Sequence, residues 1–304
     1  MTPEDRSSAI PPSPAGLAPP AAAVSTAAPV VPPPSENRFY YRFTPGQRLL
    51  HATLFTTFLG LALTGLTLRF SEARWAQAFA HAVGGFGAIL FFHKTMAVLL
   101  TVAFLVHLAI ILRRALLKRE LGLLWGPNSL VPQPKDFSDL LAHFRWFLGR
   151  GPRPRFDRFT YWEKFDYWAV FWGMAVIGIS GYSMWFAPYV ARIVPGSWLN
   201  VALLLHGEEA LLAAWFIFSV HFFNTHLRPG SFPMDTVIFT GRLSERELAE
   251  KHPEEYARLR AAGKLEALRV APSERWFIAV GKTIGFIAIT IGFVLLVLTL
   301  FSFV

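Results

Sequence analysis

The chain has 304 residues, 53% of them hydrophobic, a formal net charge of +9 and no cysteine. A positive mean hydropathy with several apolar stretches of about 18 residues or more excludes an ordinary soluble globular protein. Without cysteine there is no thioether-linked haem, no thiolate-held iron–sulfur cluster and no disulfide, so redox chemistry would need non-covalent, histidine-held cofactors. The positive charge lies in loops beside the apolar stretches, the pattern of membrane topology rather than of nucleic-acid binding.

Residues 1–36 are dominated by Pro, Ala and Ser and are expected to be disordered, without the pattern of a secretory signal peptide. Five membrane spans are predicted, at 46–68, 86–112, 165–187, 199–224 and 277–303. The fold class expected is an all-α membrane protein whose first four spans (domain 37–227) form a haem-binding bundle. A helical loop (228–275) and a fifth span (276–304) follow.

Arg38 and Arg42 precede the first span and Arg48 lies at its start, and eleven Lys or Arg residues lie between Arg113 and Lys164. Nine more lie between Arg228 and Arg275. The alternate loops hold only Arg69 and Arg74, and Arg192. The positive-inside rule then places the N-terminus in the cytoplasm and the C-terminus in the periplasm of a bacterial inner membrane. In the last basic loop, Ser244 with Glu247 forms a capping-box pattern and Pro253 starts or breaks a helix, giving two short cytoplasmic helices.

The chemistry rests on histidines. His93 and His107 lie fourteen residues apart, and His206 and His221 fifteen. At about 100° and 1.5 Å per residue, each pair returns to roughly one helix face some 21–22 Å further along. Each helix so presents one imidazole near either edge of a hydrocarbon layer about 30 Å thick. Two such helices side by side can hold two b-type haems, each iron between two histidines. His93 with His206 makes the outer pair, and His221 is the clear inner ligand. His51 and His107 both suit the remaining inner position, with His226 a weaker candidate.

Gly60 and Gly65, Gly84, Gly85 and Gly87, and Gly173, Gly178 and Gly181 would let helices approach a flat macrocycle. Arg48, Arg113 and Arg114 near the inner site, and Arg69 and Arg74 near the outer, are candidate partners for haem propionates. Glu208 and Glu209 could exchange a proton with a quinol or pair with Lys94.

The run Arg48-Leu49-Leu50-His51, with LTGLTLRF at 63–70, His93-Lys94, YWEKFDYWAVFWG at 161–173 and GYSMWF at 181–186, resembles the bacterial cytochrome b family of formate dehydrogenase gamma subunits. So do the block from His206 to His221 and HLRPGSFPMDTVIFTG at 226–241. Hydrogenase and thiosulfate reductase cytochromes b are relatives. The resemblance implies two haems b, with His93 and His206 on one and His51 and His221 on the other. It implies the quinone-reactive electron-transfer subunit of an oxidoreductase complex. Menaquinone or ubiquinone would be its substrate, and a dehydrogenase, hydrogenase or multihaem cytochrome c its partner. His107 departs from that pattern and remains a competing ligand. The alternative expectation is a non-redox membrane scaffold or transporter subunit, which would be colourless.

Overall fold

Thr44 opens the first long helix. Its extended backbone and side-chain oxygen cap the amide of Gln47, whose own side chain returns the bond, and Pro45 takes the first helical position. The computed structural model describes residues 34–302, so the tail expected to be disordered lies almost wholly outside them. Helix α1 (Pro45–Arg69) leads through α2 (Arg74–Val83) to α3 (Phe86–Leu112), which runs on into a π turn at Arg113–Leu117. Gly84 and Gly85 make the corner between α2 and α3 with φ of 107° and 94°, a backbone open to glycine at little cost. They shape that corner instead of facing a cofactor.

Helix α4 (Pro134–Phe147) lies in the following loop. Then α5 (Tyr161–Gly173), a π turn (Met174–Gly178) and α6 (Ile179–Trp185) form one unbroken helical run, started by a Thr160–Glu163 capping box. After the short α7 (Ala187–Val190), α8 (Ser197–Phe216) continues through π turns at Ile217–His221 and Phe223–Leu227. The chain ends with α9 (Val237–Thr240), α10 (Glu245–Lys251), α11 (Pro253–Ala261) and α12 (Arg275–Ser302).

Among the described residues four runs are long and apolar enough to cross a membrane: Pro45–Arg69, Phe86–Leu117, Ser197–Leu227 and Arg275–Ser302. The third of the five expected spans falls on the helical run 161–185. That run is long enough at about 1.5 Å per residue, but its Trp, Tyr, Gly and Ser residues make it less apolar than the other four. Helix α12 joins the bundle along a glycine seam, where Gly285 meets Met234 and Gly292 meets Phe218 and Phe222. Leu66 of α1, Ala214 of α8, Phe218, Phe222 and Leu295 of α12 form the buried core there.

The expectation of an all-helical chain needs one correction. Strand β1 (Phe39–Tyr41) lies between β2 (Arg242–Ser244) and β3 (Arg269–Val270), antiparallel to both, with Tyr40 opposite Leu243 and Arg269. Tyr40 packs with Leu243, Leu248 and Leu265. Beside the sheet, Arg42 and Arg158 share the buried carboxylate of Glu255, and Arg258 meets Asp157 at 2.6 Å. The segment before α1, the α4–α5 loop and the α8–α12 loop thus close into one cap.

Candidate cofactor site

One cavity of about 2020 Å³ runs between α1, α3, the 161–185 run and α8. Single small-molecule sites usually occupy about 300–1,000 Å³, so this space suits two large ligands better than one. His93 and His206 stand on its wall toward the end remote from the cap, and His51, His221 and His226 toward the cap end.

At the far end the rings of His93 and His206 are centred 6.1 Å apart. A metal between two imidazole nitrogens, each about 2 Å away, sets ring centres about 6 Å apart. The tautomers agree with such a role. His206 Nδ1 lies 2.9 Å from the carbonyl oxygen of Ile177, in the π turn, so Nδ1 carries the proton and donates. The Thr64 hydroxyl donates a hydrogen bond to the Gly60 carbonyl at 2.6 Å, so its oxygen accepts from His93 Nδ1–H at 2.9 Å. In both rings Nε2 keeps its lone pair. Gly181 makes room for the pair, since a Cβ there would lie 2.8 Å from His206 Cε1.

The cap end repeats the chemistry. His221 Nδ1–H donates to Asp166 Oδ2 at 2.9 Å, again leaving Nε2 as the lone-pair nitrogen. His51 stands on the cavity wall beside Phe55. His107 does not reach the wall, and its Nε2 is held by the hydroxyl of Tyr167 at 3.0 Å. Among the described residues no three His, Asp or Glu side chains gather as a metal cage. At the far end the donors form a facing pair, the set suited to an iron whose other ligands arrive with a macrocycle.

Several sequence-predicted neighbours lie elsewhere. Gly65, Gly173, Gly178 and Gly181 line the cavity, whereas Gly60 packs on Met96. Arg69 lines it and pairs with Glu208 at 2.8 Å, while Glu209 accepts from the indole of Trp172 at 3.3 Å. Lys94 sits over Trp185, so the expected pairing with either glutamate is not formed. Arg48 lies over Phe277, Arg114 binds Glu120, and neither they nor Arg74 and Arg113 reach the wall. Their place at the cap end is taken by Arg42, Arg228 and Lys251, which sequence reasoning missed. Asp166 was missed too, although a lone acid within an aromatic span was a visible signal.

A sequence profile of prokaryotic cytochrome b561 matches residues 42–225, a stretch that holds His51, His93, His107, His206 and His221 and stops just before the weaker candidate His226. The chain belongs to the prokaryotic cytochrome b561 family. With its four apolar helices it is a multi-pass membrane protein of haem b electron transfer, which displaces the scaffold or transporter reading. No curated protein matches it. For a cytochrome b561 the paired imidazoles with Nδ1 engaged and Nε2 available are a fitting donor set.

Proposed function

We propose that the chain holds two haems b and passes electrons between a membrane quinone and a partner redox protein. His93 with His206 serves the far haem and His51 with His221 the cap-end haem, with His107 a neighbour of the latter. The observation that carries this reading is the 6.1 Å separation of the His93 and His206 rings, both fastened through Nδ1. The same Nδ1 pattern at His221, and the engagement of His107 by Tyr167, favour His51 for the remaining position. Haem b supplies reversible one-electron chemistry at its iron.

The chain's residues orient the imidazoles that would hold the haems and set their basicity. Asp166 on the Nδ1–H of His221 makes that imidazole a stronger donor. Arg228 at the cap end and Lys94 at the far end line the cavity without an ion pair among the described residues and are the cations free for propionates. Arg42, Lys251 and Arg69 are instead paired with Glu255, Asp235 and Glu208. At the cap end His226 is buried on the cavity wall with Nδ1 unpartnered among the described residues, near the Asp235–Lys251 pair at 2.8 Å. These groups support quinone exchange there, since quinone reduction needs protons as well as electrons. The partner is a dehydrogenase, a hydrogenase or a multihaem cytochrome c.

The run 161–185 serves as the third of five spans, a reading supported by Gly173, Gly178 and Gly181, which line the cavity shared with α1, α3 and α8. The cap gathers the basic loops, so it faces the cytoplasm of a bacterial inner membrane, with the C-terminus in the periplasm. A reporter active only outside the cytoplasm should be silent after Gly151 and active after Val304; the reverse would invert every depth. Pyridine haemochrome analysis of the purified protein should give two haems b per chain. Colourless protein would overturn the proposal.

A further inference from the structure

Helix α4 lies in the loop before α5, outside the cavity and outside the four apolar helices, and no residue of it is buried. One face is fastened to the start of the 161–185 run. Asp136 takes Lys164 at 2.8 Å, and His143 Nδ1 lies 3.0 Å from the Tyr161 hydroxyl. Just before it, the Leu130 carbonyl accepts from the indole of Trp168 at 3.1 Å. These bonds hold α4 at the level where the 161–185 run begins. A second face, about 120° round the helix, carries Phe137, Leu141 and Phe144 and runs on to Leu148 at the C-cap, all exposed and spaced by four, three and four residues into a single stripe. Phe147, also exposed, lies nearer the fastened face and stacks on His143 with ring centres 4.6 Å apart.

The charge around the stripe is one-signed. Asp136, Asp139, Glu120 and Asp157 are each taken up by a cation, namely Lys164, Lys135, Arg114 and Arg258. Arg113, Lys118, Arg119, Arg145, Arg150 and Arg153 are exposed and enter no ion pair among the described residues. A stripe of Phe and Leu bordered by unpaired cations, held at the end of a spanning helix, has the chemistry of an interfacial lipid-binding helix.

We infer that α4 lies in the membrane interface and docks on anionic phospholipid. The Phe–Leu stripe enters the upper acyl layer, and Arg145, Arg150 and Arg153 meet headgroup phosphates. Electrostatic attraction to the lipid sets how deeply the helix sits, so depth should depend on headgroup charge and on salt.

The cysteine-free chain allows single-site labelling without a background. Full-length protein carrying Phe144→Cys or Leu141→Cys, labelled with a small fluorophore, is placed in phosphatidylglycerol or phosphatidylcholine nanodiscs. Glu250→Cys on the exposed side of α10 is the aqueous control, and gel filtration checks that each variant is intact. Labels at 141 and 144 should be quenched several-fold more strongly by lipid-borne doxyl groups than the label at 250. Quenching should be stronger in phosphatidylglycerol, and Arg145→Glu with Arg150→Glu and Arg153→Glu should remove that lipid difference. Labels at 141 and 144 quenched by aqueous acrylamide as readily as the one at 250, in both lipids, would overturn the inference and leave the stripe to a protein partner. Equal doxyl quenching in the two lipids would overturn the anionic docking.

Discussion

The carbonyl of Ile177 and the carboxylate of Asp166 accept hydrogen bonds from His206 and His221, and the hydroxyl oxygen of Thr64 does the same for His93. The candidate histidines stand out in the sequence by spacing, because helical periodicity places fourteen- and fifteen-residue intervals on roughly one face. Their partners do not, because each comes from another helix, 29 or 55 residues away in the chain. The preference proposed for His51 over His107 likewise rests on a partner from another helix, Tyr167, whose hydroxyl lies against His107 Nε2. Replacing His51 with Ala should abolish one of two low-spin haem signals, whereas His107→Ala should keep both and shift only one potential. Redox-titrated spectra decide it, and loss of a haem with His107→Ala alone would exchange the assignment. Asp166→Asn should weaken retention of the cap-end haem on the order of tenfold and raise its potential, leaving the far haem unchanged. Equal change in both haems would show that Asp166 does not act through His221.

At the scale of elements, length and apolarity were readable but seams and corners were not. Gly84 and Gly85 looked like cofactor contacts and instead turn the chain between α2 and α3, a role that depends on backbone angles. The π turn at Met174–Gly178 contains the carbonyl that orients His206, and such one-turn departures leave no periodic trace in sequence. The seam of α12 is sharper still. A Cβ at Gly292 would lie 2.6 Å from Phe218 and 2.8 Å from Phe222, two rings of the buried core. At Gly285 it would meet Met234 at 2.7 Å, whose unbranched side chain yields more readily. Gly292→Val should therefore destabilise the bundle by about 1–3 kcal/mol, and Gly285→Ala by clearly less. Thermal loss of the haem absorbance in matched detergent measures both, and an unshifted Gly292→Val would mean that α12 packs loosely there.

At the scale of the molecule, the charge pattern announced that the basic segments share a side, and the cap shows them bonded to one another. The sheet that joins them was invisible, since strands of three, three and two residues carry no alternation and pair across some two hundred residues of chain. The cap also carries a pH dependence. Burial, and then the neighbouring Arg42 guanidinium, lower His252 from 6.5 to about 3, and its Nδ1–H donates to the Asp157 carbonyl at 2.8 Å. Unfolded, the same ring takes up a proton near pH 6.5 that the folded cap refuses until about 3, so the unfolded state binds more protons across that window. The stability His252 contributes is therefore complete above pH 6.5 and is lost as pH falls, by up to about 1.4 kcal/mol per pH unit. Burial raises the Asp235 carboxyl, but Lys251 and the Val237 amide bring it below its ordinary 3.8, so its contribution is lost only at pH below that. Hydrogen exchange over residues 245–261 of the holoprotein in nanodiscs should accelerate between pH 6.5 and 4.5, after correction for intrinsic rates, while exchange in α3 stays flat. His252→Gln, which cannot take up a proton, should remove the acceleration even where it lowers the starting protection. An unchanged slope in that variant would assign the pH dependence to the carboxylates.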